Sequence, residues 1–111
     1  MTIRDMIHEM QTEVRDSDLL PGRAAELLTK LTALMGNTND EIREADHAYA
    51  VVLLQFLAAD EAANRAKIRA ETTTQYLRKR EARDTKELVI ELVRSLKYFL
   101  RAKEEEMRLT R

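Results

Sequence analysis

Between residues 42 and 70 the apolar residues Ile42, Ala45, Tyr49, Val52, Phe56, Ala59, Ala63, Ala66 and Ala70 recur in alternating steps of three and four. A helix gathers residues at that spacing into one stripe, and four heptads of it call for a partner helix of matching length. The first half of the stripe is bulky and the second half is alanine only, so the spacing predicts close packing on a neighbour at the far end. Ala59, Ala63, Ala66 and Ala70 are therefore candidates for a self-association seam. Around Val51, Leu53, Leu54 and Leu57 the helix is apolar on nearly every side, which predicts burial among several helices.

Two shorter patterns precede it. Ile3, Met6, Ile7, Met10 and Val14 make one stripe over residues 2–15. "DSDLLPG" interrupts it, and Pro21 suits the first turn of a helix, where its missing N–H has no partner to lose. Leu27, Leu28, Leu31, Leu34 and Met35 predict a second short helix over 21–35, ending at Gly36, the residue that most cheaply adopts the left-handed conformation past a helix end. Thr38 and Glu41 stand at capping-box spacing and predict a restart at 39. The long helix then runs to 71, where three threonines in "ETTTQY" favour a turn or a kink over residues 71–75.

A second long helix is expected over 75–108. Leu88, Val89, Leu92, Val93, Leu96, Phe99, Leu100 and Met107 form its broad apolar face, and Asp84 with Glu87 leaves open a restart near 85. The fold class is thus all-α, a long antiparallel coiled-coil-like hairpin with two short N-terminal helices in a single domain, 1–111. Its outer end outreaches the short helices, and the uncovered seam predicts a homo-oligomer.

Composition removes several functions. No apolar run approaches the ~20 residues of a membrane span, and "MTIRDMIHEM" lacks the apolar core of a signal peptide. Cysteine is absent, so neither a disulfide framework nor thiolate chemistry is available. A soluble intracellular protein fits these features.

Catalytic groups are sparse. Glu44 with His47, and Asp5 with His8, have the i, i+3 spacing of di-iron bundles, but such a site needs two full Glu-x-x-His motifs and two further inward glutamates. Gly22 and Gly36 are solitary, so no phosphate loop exists. Ser17 and Ser95, the only serines, lack a nucleophile-elbow context. No catalytic residue, metal, cofactor or small-molecule substrate is expected.

Charge is uneven. Residues 1–60 hold 5 Lys/Arg against 11 Asp/Glu, and residues 61–111 hold 14 against 9. The stretch 65–86 concentrates Arg65, Lys67, Arg69, Arg78, Lys79, Arg80, Arg83 and Lys86, with Tyr76 among them. Cations alone suffice for salt-sensitive phosphate contacts, so these residues are candidates for binding DNA or RNA, or a protein partner. Glu71, Glu81, Asp84 and Glu87 interleave them, the ordinary pattern of a solvated helix face. If acids pair off Arg65, Arg69, Arg78, Lys79 and Arg83, the nucleic-acid reading weakens.

Over residues 40–111 an Ala-rich helix, the break "ETTTQYL" and the closing "ELVRSLKYFLRAKEEEMRLTR" follow one another. This order resembles small all-helical accessory proteins of bacteriophages and prophages, of unassigned function. The resemblance implies a binding role in the cytoplasm of a bacterial host, on recombination or replication machinery or on a host defence nuclease. It carries no catalytic motif and excludes the acidic N-terminal third.

Overall fold

The computed structural model describes residues 2–59 and 62–110. They form four helices, α1 (Ile3–Asp16), α2 (Pro21–Ala58), α3 (Ala63–Ala70) and α4 (Thr74–Leu109), and no strand. The protein is all-α, with the long helices α2 and α4 packed against each other. Two compact units divide the chain, Met1–Gly36 with Thr85–Arg111, and Asn37–Asp84. Both long helices contribute to each unit.

The first unit is built on leucine-sized side chains. Ile7 and Met10 of α1, Leu27, Leu31 and Leu34 of α2, and Val89, Leu92 and Leu96 of α4 are buried together. Ile3, Met6 and Val14 close its margin, so the whole expected stripe of α1 faces the core. Local chemistry defines α1. At its start the Thr2 hydroxyl accepts from the Asp5 N–H while the Asp5 carboxylate accepts from the Thr2 N–H, both at 3.1 Å. This reciprocal box satisfies two donors that a helix start leaves unpaired. At its end the Ser17 N–H and hydroxyl both donate to the Glu13 carbonyl. The Glu13 side chain then grips Arg23 of α2 in a two-pronged ion pair of 2.6 and 2.8 Å.

The second unit is built on small residues. Ala45 and Tyr49 of α2, Ala66 and Ala70 of α3, and Ala82 of α4 are buried, with Thr38. Alanine lets helix backbones approach closely, which accommodates α3 within the unit.

Four expectations need correction. Gly36 does not end a helix and Thr38 does not cap one, because α2 is continuous from Pro21 to Ala58. Leu27, Leu31 and Leu34 bury on one side of Gly36 and Ala45 and Tyr49 on the other. Packing at both ends outweighs the ~1 kcal/mol that glycine loses to alanine inside a helix. The long helix expected over 39–71 is instead two, α2 ending at Ala58 and α3 beginning at Ala63. This break interrupts the alanine seam; local propensity gives no reason for it, and Asp60 and Glu61 lie outside the described residues. Residues 71–73 are a turn, and α4 runs unbroken from Thr74 with no restart near 85. Met107, expected on the core face, is 60% exposed, beyond the last turn that the core covers.

The fourth correction concerns the apolar girdle of α2. Val51, Leu54 and Leu57 are 39%, 64% and 39% exposed. At 100° per residue they lie on the side of α2 away from Ala45, Tyr49, Val52 and Phe56. Within the second unit only α3 and the start of α4 are present to cover α2, and they cover the other side.

Two stability measurements check this architecture. Nothing lies within 4 Å of a Cβ built at Gly36, so Gly36→Ala is expected to raise stability by roughly 0.5–1 kcal/mol in urea unfolding. A loss would contradict a continuous α2. Ala66 is fully buried and Ala63 is exposed. Ala66→Leu is expected to cost roughly 1–3 kcal/mol by overpacking, with Ala63→Leu close to neutral; equal costs would place α3 wrongly.

Candidate functional site

The basic stretch is divided by the turn at 71–73, with Arg65, Lys67 and Arg69 on α3 and the remaining cations on α4. Thr72 and Thr73 shape that turn. Their hydroxyls donate to the carbonyls of Arg69 and Ala70 at 2.7 and 2.6 Å, closing α3. The Thr73 oxygen also accepts from the Tyr76 N–H at 3.3 Å, which caps α4.

From this frame five of the expected binding residues reach back to α2. Arg78 donates to both oxygens of Glu41 at 2.7 and 3.1 Å and to Glu44 at 3.4 Å. Arg83 donates to Asp46 at 2.8 Å. Around α2 these acids lie on opposite flanks of the Ala45–Tyr49 stripe, so the ion pairs bracket the α2–α4 contact from both sides. Between them Tyr76 packs on Tyr49 with ring centroids 5.5 Å apart, and the Lys79 ammonium stands 4.5 Å from the Tyr49 ring centre. The Arg69 guanidinium lies 5.2 Å from that of Phe56. Cations over aromatic faces are attracted by the ring quadrupole.

The electrostatics follow from these contacts. Hydrogen bonding to Arg78 holds the Glu41 carboxyl below its ordinary 4.5. Burial, and then the nearby Glu71 and Tyr76, push the Tyr49 phenol up. Arg69, Arg78, Lys79 and Arg83 are therefore engaged within the second unit. Arg65, Lys67, Arg80 and Lys86 make no ion pair among the described residues; Lys86 belongs to the first unit and the other three to the second. Beside the turn, a shallow cleft of about 500 Å³ sets Arg80 among Glu71, Glu81 and Asp84. With three acids to one base it does not favour phosphate.

The alanine seam is likewise divided. Ala66 and Ala70 are fully buried inside the chain, and so are closed to a second copy, while Ala59 and Ala63 are exposed. Beside the exposed Ile68 and Leu77 of the same unit, uncovered apolar surface lies on one face of α2, at Val51, Leu54 and Leu57. Residues 48–59 carry no charge, which was the signal that marked this surface. The acids Glu41, Glu44 and Asp46 were also missed as partners of the basic stretch. Counting the hairpin register outward would have set them near Arg78 and Arg83.

Among the described residues no three His, Asp or Glu side chains are placed to hold a metal ion, and no helix is long and apolar enough to cross a membrane. His8 lies 3.1 Å from the Gln11 side-chain oxygen on α1, and His47 is exposed on α2. Comparison with protein-family models, curated proteins and solved structures found no match.

The ion pairs predict acid sensitivity of a definite sign. Because the folded-state value of Glu41 is depressed, its contribution is present in full above pH 4.5 and disappears as pH falls through the lower, folded-state value. Glu13, held down by Arg23, acts in the same direction. Arg78→Met is expected to lower the neutral-pH melting temperature and to flatten the loss of stability below about pH 4.5. An unchanged acid profile in this variant would show that the Glu41–Arg78 pair is not linked to folding.

Proposed function

We propose that the protein is a non-enzymatic helical interaction protein, which self-associates and binds a protein partner. The observation that carries this reading is the uncovered apolar side of α2, at Val51, Leu54 and Leu57. Aliphatic side chains on an uncharged helix face lose water favourably only against another apolar surface. The inward commitment of Arg69, Arg78, Lys79 and Arg83 supports the same reading, because it removes half of the cations that a phosphate backbone would meet. In line with the resemblance of residues 40–111 to phage accessory proteins, the partner class is recombination or replication machinery or a host defence nuclease in a bacterial cytoplasm.

The second reading, a DNA- or RNA-binding accessory protein, rests on Arg65, Lys67, Arg80 and Lys86, which carry no ion pair among the described residues. A salt series of binding to single-stranded and duplex DNA, run with light scattering on the same sample, separates the two. The proposal expects a defined oligomer and no salt-sensitive binding. Affinity that falls steeply with salt, and is lost in an Arg65→Glu, Lys67→Glu, Arg80→Glu variant, would overturn it in favour of nucleic acid.

A further inference from the structure

We propose that two copies of the chain pair antiparallel through the outer face of α2, about a two-fold axis at Leu54; this rests on the self-association reading and names its surface. Val51 and Leu57 lie three residues to either side of Leu54, and Ala50 and Ala58 lie four to either side. All five are exposed. Reversing the helix about Leu54 therefore sets large on large at the inner positions and small on small at the outer ones. An isologous contact requires this self-complementarity, since every residue must meet its symmetry partner.

Charge selects both the occupant and the direction. The chain from 48 to 59 has no charged side chain and a single amide, Gln55. Between 48 and 59 a phosphate backbone or a charged peptide would find no charge to bind. An identical copy meets it without apposing like charges, the usual obstacle to a surface pairing with itself. Parallel pairing lacks this advantage, because Arg43 and His47 continue the same face. It would oppose Arg43 to Arg43 and align the two helix dipoles, whereas antiparallel pairing sets the dipoles against each other. Three partly exposed aliphatic side chains make a face smaller than the ~800 Å² per partner of a standard stable interface. The dimer is thus weak and concentration-dependent, dissociating in the micromolar range or above.

The chain has no cysteine, so an introduced thiol is unique. Leu54→Cys, at the axis, is expected to form a disulfide-linked dimer under mild oxidation at least tenfold faster than Ser95→Cys, an exposed control on α4. Val51→Cys and Leu57→Cys are each expected to crosslink poorly alone and readily when mixed. Leu54→Glu is expected to give a monomer with unchanged helicity, since Leu54 supports no core contact. Equal self-crosslinking at 51, 54 and 57 would overturn the antiparallel direction. An oligomeric wild type in which none of the three crosslinks faster than the control would overturn this surface alone. A wild type that sediments as a monomer at millimolar concentration would overturn the pairing and the self-association reading together.

Discussion

Two helices of 38 and 36 residues take up about two thirds of the chain, and their mutual packing governs everything else. Helices of that length expose more apolar surface than each can hide on the other. Only α1 and α3, of 14 and 8 residues, remain to cover it. In the first unit α1 does so, and Ile7 and Met10 complete a core of leucine-sized side chains. In the second unit α3 brings alanines, which cover α2 on one side and leave Val51, Leu54 and Leu57 to water. The uncovered face is the consequence of a cover too small for the helix beneath it.

The same packing redirects the charges. A segment with eight cations reads as a polyanion site when taken alone. Once α4 lies along α2, Arg78 and Arg83 find Glu41, Glu44 and Asp46 at hydrogen-bonding distance. Exposed ion pairs are individually weak, but a two-pronged arginine fixes direction as well as contributing energy. Their positions on the two flanks of the Ala45–Tyr49 stripe align one helix on the other, a register that alanine packing by itself specifies poorly. The acidic first half and basic second half of the chain thus serve the fold before any partner.

Much of this was legible in the sequence where one period ran without interference. The stripe of α1, the core leucines around Leu31 and the face of α4 from Leu88 to Leu100 all follow from 3.6-residue periodicity. The helix start at Pro21 and the turn after Glu71 follow from backbone preferences. Legibility ended where local and long-range effects disagreed. Gly36 and Thr38 carry local stop and start signals that packing on either side overrides. The break after Ala58 has alanine, the best helix former, at 59 and 62 on either side of it. Thr2 and Asp5 carry the capping-box spacing in the sequence itself. Glu41 stands at capping-box spacing from Thr38 on its own helix, although its partner Arg78 lies 37 residues away. The exposure of Leu54 depends on which helices are available to cover it, and no window of sequence contains that information.

The most direct test of the central claim is an amide and methyl NMR concentration series on the unmodified protein. The account predicts that raising the concentration shifts resonances of α2 over residues 50–58, with Leu54 moving most, while those of Arg65, Lys67 and Arg80 stay in place. Spectra that do not change with concentration, or changes confined to the basic residues of α3 and α4, would contradict it.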